Sequence, residues 1–126
     1  MSIYIKVNNT EYPATVNGNR ADRTWGDRDT KTIYLTMSYE DALALLPSGT
    51  PWSIVMRETS PVYDEQGQPT GETEERVQEY DNSEYSLAGD ITDHRDGTVS
   101  IKMGKPTEAE TLRAQLAEIE EAYDAN

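Results

Sequence analysis

The chain has 126 residues, a formal net charge of −13, 35% hydrophobic residues, and neither cysteine nor phenylalanine. That length suits one domain with a modest core, and the missing cysteines exclude disulfides, thiolate metal sites and a cysteine nucleophile. Residues 1–57 hold six acids and six bases, whereas 58–126 hold eighteen acids and five bases, a field that repels nucleic-acid backbones and anionic membranes alike.

Ile3-Tyr4-Ile5-Lys6-Val7 alternates with period two and reads as a half-buried strand. Asn8-Asn9 then reads as a turn, and Tyr12 to Val16 as the returning strand. Asn17-Gly18 is a second hairpin-type signal. The stretch from Arg20 to Thr30 is polar apart from Trp25 and is expected to be a loop. Thr32 to Met37 reads as a third strand. Ser38 can cap a short helix with Glu40 and Asp41 in its first turn, where they suit the helix dipole. Leu43, Leu45 and Leu46 are expected to pack before Pro47-Ser48-Gly49 ends it.

Trp52 to Arg57 reads as the fourth strand. From Thr59 to Glu75 the chain is polar and rich in Gly, Pro and acids, and is expected to form a mobile hairpin tip. Arg76 to Tyr80 can return as a strand, followed by strand-like residues from Tyr85 to Ile91. Asp93-His94-Arg95-Asp96-Gly97 is a turn, and Thr98 to Met103 again alternates with period two. Thr107 and Glu110 have the spacing of a capping box, opening a helix that runs towards Ala125. Its apolar residues Leu112, Leu116, Ile119 and Tyr123 are spaced four, three and four, a narrow seam that either packs on the protein's own sheet or self-associates.

These elements imply an α+β fold, with a mostly antiparallel β-sheet, one short internal helix and a C-terminal amphipathic helix. The expected organisation is a β-rich domain over 1–105, with its tip at about 59–75, and a C-terminal helix over 106–126. No apolar run approaches the roughly 18 residues of a membrane span. The start, Met1 to Lys6, lacks the basic-then-apolar pattern of a secretion signal, so a soluble cytoplasmic protein is expected.

Little in the sequence points to catalysis. His94 is the one histidine, and as a base it would need Asp93 or Asp96 to orient it. A polar turn with Asp96-Gly97 supplying the backbone angles is the plainer account. Asp90, Asp93 and Asp96 recur every three residues, which does not match a calcium-loop ladder. Phosphate-binding loops and the common hydrolase and metalloprotease motifs are absent. No catalytic residue, cofactor or metal site is expected, and binding to another protein is the expected mode of action. Candidate contact residues are Leu112, Leu116, Ile119 and Tyr123 on the helix, and Glu74, Glu75, Glu79 and Asp81 among the acids.

Ile3 to Pro13, Pro51 to Val55, Tyr80 to Tyr85, and Gly89 to Val99 continuing to Lys102-Met103-Gly104-Lys105-Pro106-Thr107 together resemble small prophage proteins of gut Firmicutes. Such proteins are typically encoded among tail and lysis genes. The resemblance covers most of the chain outside the 59–75 tip. It implies a phage accessory or structural protein, tail-associated, acting in the host bacterial cytoplasm or in the virion, with a tail component as partner. The acidic second half leaves an alternative open: an anti-defence inhibitor that mimics DNA and blocks a host defence nuclease.

Overall fold

The computed structural model describes residues 1–124, with side chains through Glu120. In chain order the elements are β1 (Ser2–Val7), β2 (Thr10–Asp22), a single 3₁₀ turn (Arg23–Trp25), β3 (Arg28–Thr36), α1 (Tyr39–Leu45), β4 (Ser53–Tyr63), β5 (Pro69–Asp81), β6 (Leu87–Asp93), β7 (Thr98–Gly104) and α2 (Glu108–Asp124). The strands form one antiparallel seven-stranded sheet in the order β5-β4-β1-β2-β3-β7-β6. The architecture is the expected α+β fold.

Asn8 and Asn9 take φ of 52° and 64°, the left-handed pair that a two-residue hairpin turn requires. They join Val7 to Thr10 at the end of the β1–β2 ladder. β2 then changes partner. Its first residues pair with β1 as far as Pro13, and from Ala14 onward it pairs with β3. The expected turn at Asn17-Gly18 does not form, because both residues lie inside this second ladder, opposite Thr32 and Lys31. β2 runs on through Asp22 and β3 begins at Arg28, so the expected 20–30 loop shrinks to the 3₁₀ turn and the two residues after it. Gly26 and Asp27, with φ of 66° and 59°, complete the reversal.

One face of the sheet is apolar. Ile5 and Val7 of β1, Ile33 and Leu35 of β3, and Val99, Ile101 and Met103 of β7 form the core with Ala42, Leu46 and Trp52. Period-two alternation puts these strand residues on one side, which is why their sequence pattern was readable. Ser38 caps α1, its Oγ accepting from the Asp41 N–H at 3.1 Å. Ala42 and Leu46 face inward, whereas Leu43, expected to pack, is exposed. A seven-residue helix shows the sheet only about one residue per turn, and Ala42 and Leu46 are the i, i+4 pair that takes that side.

The link between β5 and β6 shows how the sheet is shaped. These strands are the two edges, which in a flat sheet would stand about 29 Å apart at 4.8 Å per strand. The chain from Asp81 to Leu87 spans at most about 21 Å. The sheet therefore twists and curls, so that corners of its two edges approach over the core. Trp52 closes that gap. Its indole Nε1–H donates to the Tyr85 carbonyl at 3.0 Å, and its own carbonyl accepts from the Asn82 N–H at 2.9 Å. Buried Asn82 accepts from the Lys31 ammonium, which also lies 4.6 Å from the centre of the Tyr85 ring. Burial pushes the Lys31 pKa down, partly opposed by Glu84.

The 59–75 segment is a hairpin, but its flanks are paired strand rather than open loop. β4 and β5 stay in register from Ser53↔Asp81 to Pro61↔Thr73, and Tyr63 still faces Pro69 beyond an irregularity. The turn is confined to the residues between them. There Asp64 Oδ1 accepts from the Gln66 and Gln68 amides at 3.0 and 2.8 Å, and Gly67 takes a φ of 78°. β1 reaches along β4 only to Arg57, so the remainder projects as a two-stranded ribbon.

Candidate partner-binding surface

The 3₁₀ corner after β2 is built around Asp22. This carboxylate is buried and accepts from the Thr24 N–H at 2.9 Å, the Thr24 hydroxyl at 2.6 Å and the Thr30 hydroxyl at 3.1 Å. Lys102 of β7 completes the set at 2.8 Å. These contacts, with the Lys102 bond foremost, hold the Asp22 pKa well below the usual carboxylate range. A buried acid satisfied on every side fixes the corner and hence the two residues that follow it.

Trp25 packs closely against Gly89 of β6 and Gly104 at the end of β7. A Cβ placed on Gly89 would come within 2.6 Å of the ring, and one on Gly104 within 2.7 Å. Arg28 lies over the indole, its guanidinium carbon 4.8 Å from the ring centre. Its Nε–H donates to the Trp25 carbonyl at 3.0 Å, and the fork then grips Glu110 of α2 at 2.6 and 3.1 Å.

Glu110 thus serves twice. Its carboxylate also accepts from the Thr107 N–H at 2.9 Å, while its own N–H donates to the Thr107 hydroxyl at 3.3 Å. This is the capping box read from the sequence, and the Arg28 clasp adds a bidentate tie from the box to the sheet. The Arg28 hydrogen bond first, and the Thr107 amide second, bring the Glu110 pKa down to about 2 from 4.5. A depressed folded-state pKa means that the clasp contributes fully above about pH 4.5 and is lost as pH falls towards 2. Amide hydrogen exchange at Thr107, Glu110 and Thr111 is expected to quicken through that window. Glu110→Gln is expected to show the quickened exchange at neutral pH, with the acid step gone.

Beyond the clasp α2 leaves the sheet. Leu112, Leu116 and Ile119 are 57%, 55% and 63% exposed, so of the two placements open from the sequence, packing on the protein's own sheet is not what the structure has. The fourth stripe residue, Tyr123, has its side chain outside the described residues. A groove of about 550 Å³ runs along the root of the helix, and Arg28, Lys105, Pro106 and Leu112 are among its lining residues. It joins the foot of the stripe to the sheet.

The acids chosen from the sequence all fall on β5. Alternation puts Glu75, Glu79 and Asp81 on one face and Glu74 on the other. Glu75 pairs with Arg57 at 2.8 Å and Glu79 with Lys6 at 3.2 Å. Asp81 accepts from the Ser83 amide at 3.0 Å. Arg57 also grips Glu11 through two bonds of 2.8 and 2.6 Å. Glu75 and Glu79 are thus tied to their own chain's cations, so the strand is not a bare row of negative charge.

His94 hydrogen-bonds the Ser100 hydroxyl at 3.2 Å and stacks on Tyr34. Asp93 and Asp96 are taken by the Arg95 and Thr98 amides of the same turn, so neither orients the imidazole. Among the described residues no three His, Cys, Asp or Glu side chains gather to hold a metal ion, and no helix is long and apolar enough to cross a membrane.

No motif or spacing in the sequence points to Arg28, Trp25, Asp22 and Lys102 as positioning residues. Asp22 and Lys102 lie eighty positions apart, and no periodicity links such a pair. Arg28 left one faint trace: the capping-box glutamate has lone pairs to spare for a cation. No protein-family model, curated protein or solved structure matches the chain.

Proposed function

We propose that this is a phage-encoded accessory or structural protein, tail-associated, that works by binding another protein through the outer face of α2. The observation that carries the reading is the Leu112–Leu116–Ile119 stripe, exposed on a helix whose first turn is locked to the sheet by Arg28. An apolar stripe left uncovered by the described residues, presented from a fixed root, suits helix-in-groove docking. The resemblance to prophage proteins of the tail and lysis region supplies the setting, the host bacterial cytoplasm and the virion assembled there.

Affinity capture from an induced lysogen tests this directly. Tail proteins are expected to come down with the wild-type chain and to be lost with Leu116→Glu/Ile119→Glu. Because both positions are exposed, the double variant is expected to keep its stability within about 1 kcal/mol. Capture of a host nuclease that survives the double variant and is lost at raised salt would instead support the DNA-mimic reading.

A further inference from the structure

We infer that the outer edge of β5 is a docking strand for an extended, basic segment of another protein, which adds antiparallel as an eighth strand. The two edges of the sheet are managed differently. β6 has seven residues, its ladder with β7 shifts between Ala88 and Ile91, and Trp25 lies against it at Gly89. Short length, a bulge and a covering side chain are ordinary ways of closing an edge. β5 has none of them over its main span. It is thirteen residues long and exposed throughout, and it keeps unbroken register with β4 from Thr73 to Asp81. Every second backbone amide and carbonyl on its outer side is therefore free to continue the sheet.

What protects β5 is sign alone, and sign discriminates between occupants. A second copy pairing antiparallel about Val77 would set Glu75 opposite Glu79 on both sides, like charge against like. A strand with basic residues at those places meets the opposite situation. Glu75 and Glu79 keep 53% and 46% of their side-chain surface while paired to Arg57 and Lys6, so each has room to accept again. Val77 between them is half exposed and lacks a cross-strand neighbour on the outer side. The complementary segment carries Lys-x-Val-x-Lys on this face, with the backbone supplying affinity and the two lysines specificity.

The test is a synthetic peptide, Thr-Lys-Thr-Val-Thr-Lys-Thr, titrated into the full chain at physiological ionic strength. Two further versions carry N-methyl groups on alternate backbone amides, one on each alternation, and keep the charge. The parent is expected to bind and to protect β5 amides from exchange. One N-methyl isomer is expected to match it, and the other to bind at least about tenfold more weakly, having lost two or three backbone bonds. Equal binding by all three would mean plain charge attraction and would overturn the inference, as would no binding by the parent. Leu116→Glu/Ile119→Glu is expected to leave peptide binding unchanged, so this result stands or falls apart from the role of α2.

Discussion

Trp52→Ala is expected to cost about 3–5 kcal/mol, the range for deleting a fully buried large aromatic side chain. For a domain of this size that lowers the melting temperature by roughly 10–20 °C. Trp52 is 1% exposed and touches the core laid down by β1, β3 and β7. It also ties the short β5–β6 link to the sheet through the bond from its indole Nε1–H to the Tyr85 carbonyl. Removing it creates a cavity and frees the segment that lets the sheet curl. Trp52→Phe separates the two effects. It keeps much of the apolar volume and loses the donor, so a smaller loss of about 1–3 kcal/mol is expected, set by the orphaned carbonyl and the reduced volume. Thermal unfolding of both variants, with hydrogen exchange at Asn82 and Tyr85, decides the matter. A loss under about 1 kcal/mol for the alanine variant would show that other contacts hold the curl.

The core was legible because it is written in local alternation. Ile33 and Leu35, and Val99, Ile101 and Met103, repeat every second residue, and the ladder pairs Ile33 with Ile101 and Leu35 with Val99. The caps were legible for the same reason, since Ser38 with Asp41 and Thr107 with Glu110 act within three residues. What was not legible depends on distant pairing. Asn17-Gly18 carries a strong turn signal, yet β3 across the ladder keeps it extended, a case of tertiary pairing overriding local preference. The 59–75 segment reads as a mobile hairpin tip because it is polar and rich in Gly, Pro and acids. β4 nevertheless gives β5 an antiparallel partner as far as Tyr63↔Pro69, so the inward-facing backbone groups of the hairpin pair without any apolar face to guide them.

The candidate surfaces divide along the same line. The α2 stripe could be listed from spacing, but whether it meets the sheet depended on where the helix root is held. That root is set by Arg28, whose position follows from the Asp22 corner and from Trp25, contacts that join residues far apart in the chain. The β5 acids could be listed from composition. Their division between two faces, and their pairing with Arg57 and Lys6, required the register.

Gly104→Ala is expected to destabilise the fold by about 1–3 kcal/mol, the usual cost of forcing an extra carbon into a packed site. It is also expected to loosen α2. The new Cβ would stand 2.7 Å from Trp25 and 2.8 Å from the Arg28 Cδ, and both neighbours are side chains. Trp25 can be removed, so Gly104→Ala made on a Trp25→Ala background is expected to cost less than half as much, a coupling that a double-mutant cycle reads out. Gly89→Ala provides the internal control. Its Cβ would meet the same ring at 2.6 Å and also the backbone carbonyl of Lys102 at 2.9 Å. Truncating Trp25 leaves that carbonyl in place, so relief at Gly89 is expected to be partial where relief at Gly104 is substantial. Pushing Arg28 also disturbs its grip on Glu110, so Gly104→Ala is expected to speed amide exchange at Thr107 and Glu110 at neutral pH. Gly89→Ala, whose nearest neighbours are the Trp25 ring and the Lys102 carbonyl and not Arg28, is expected to leave those amides alone. Equal rescue at both glycines, or unchanged exchange at the helix root in Gly104→Ala, would break the proposed chain from glycine platform to indole to arginine clasp.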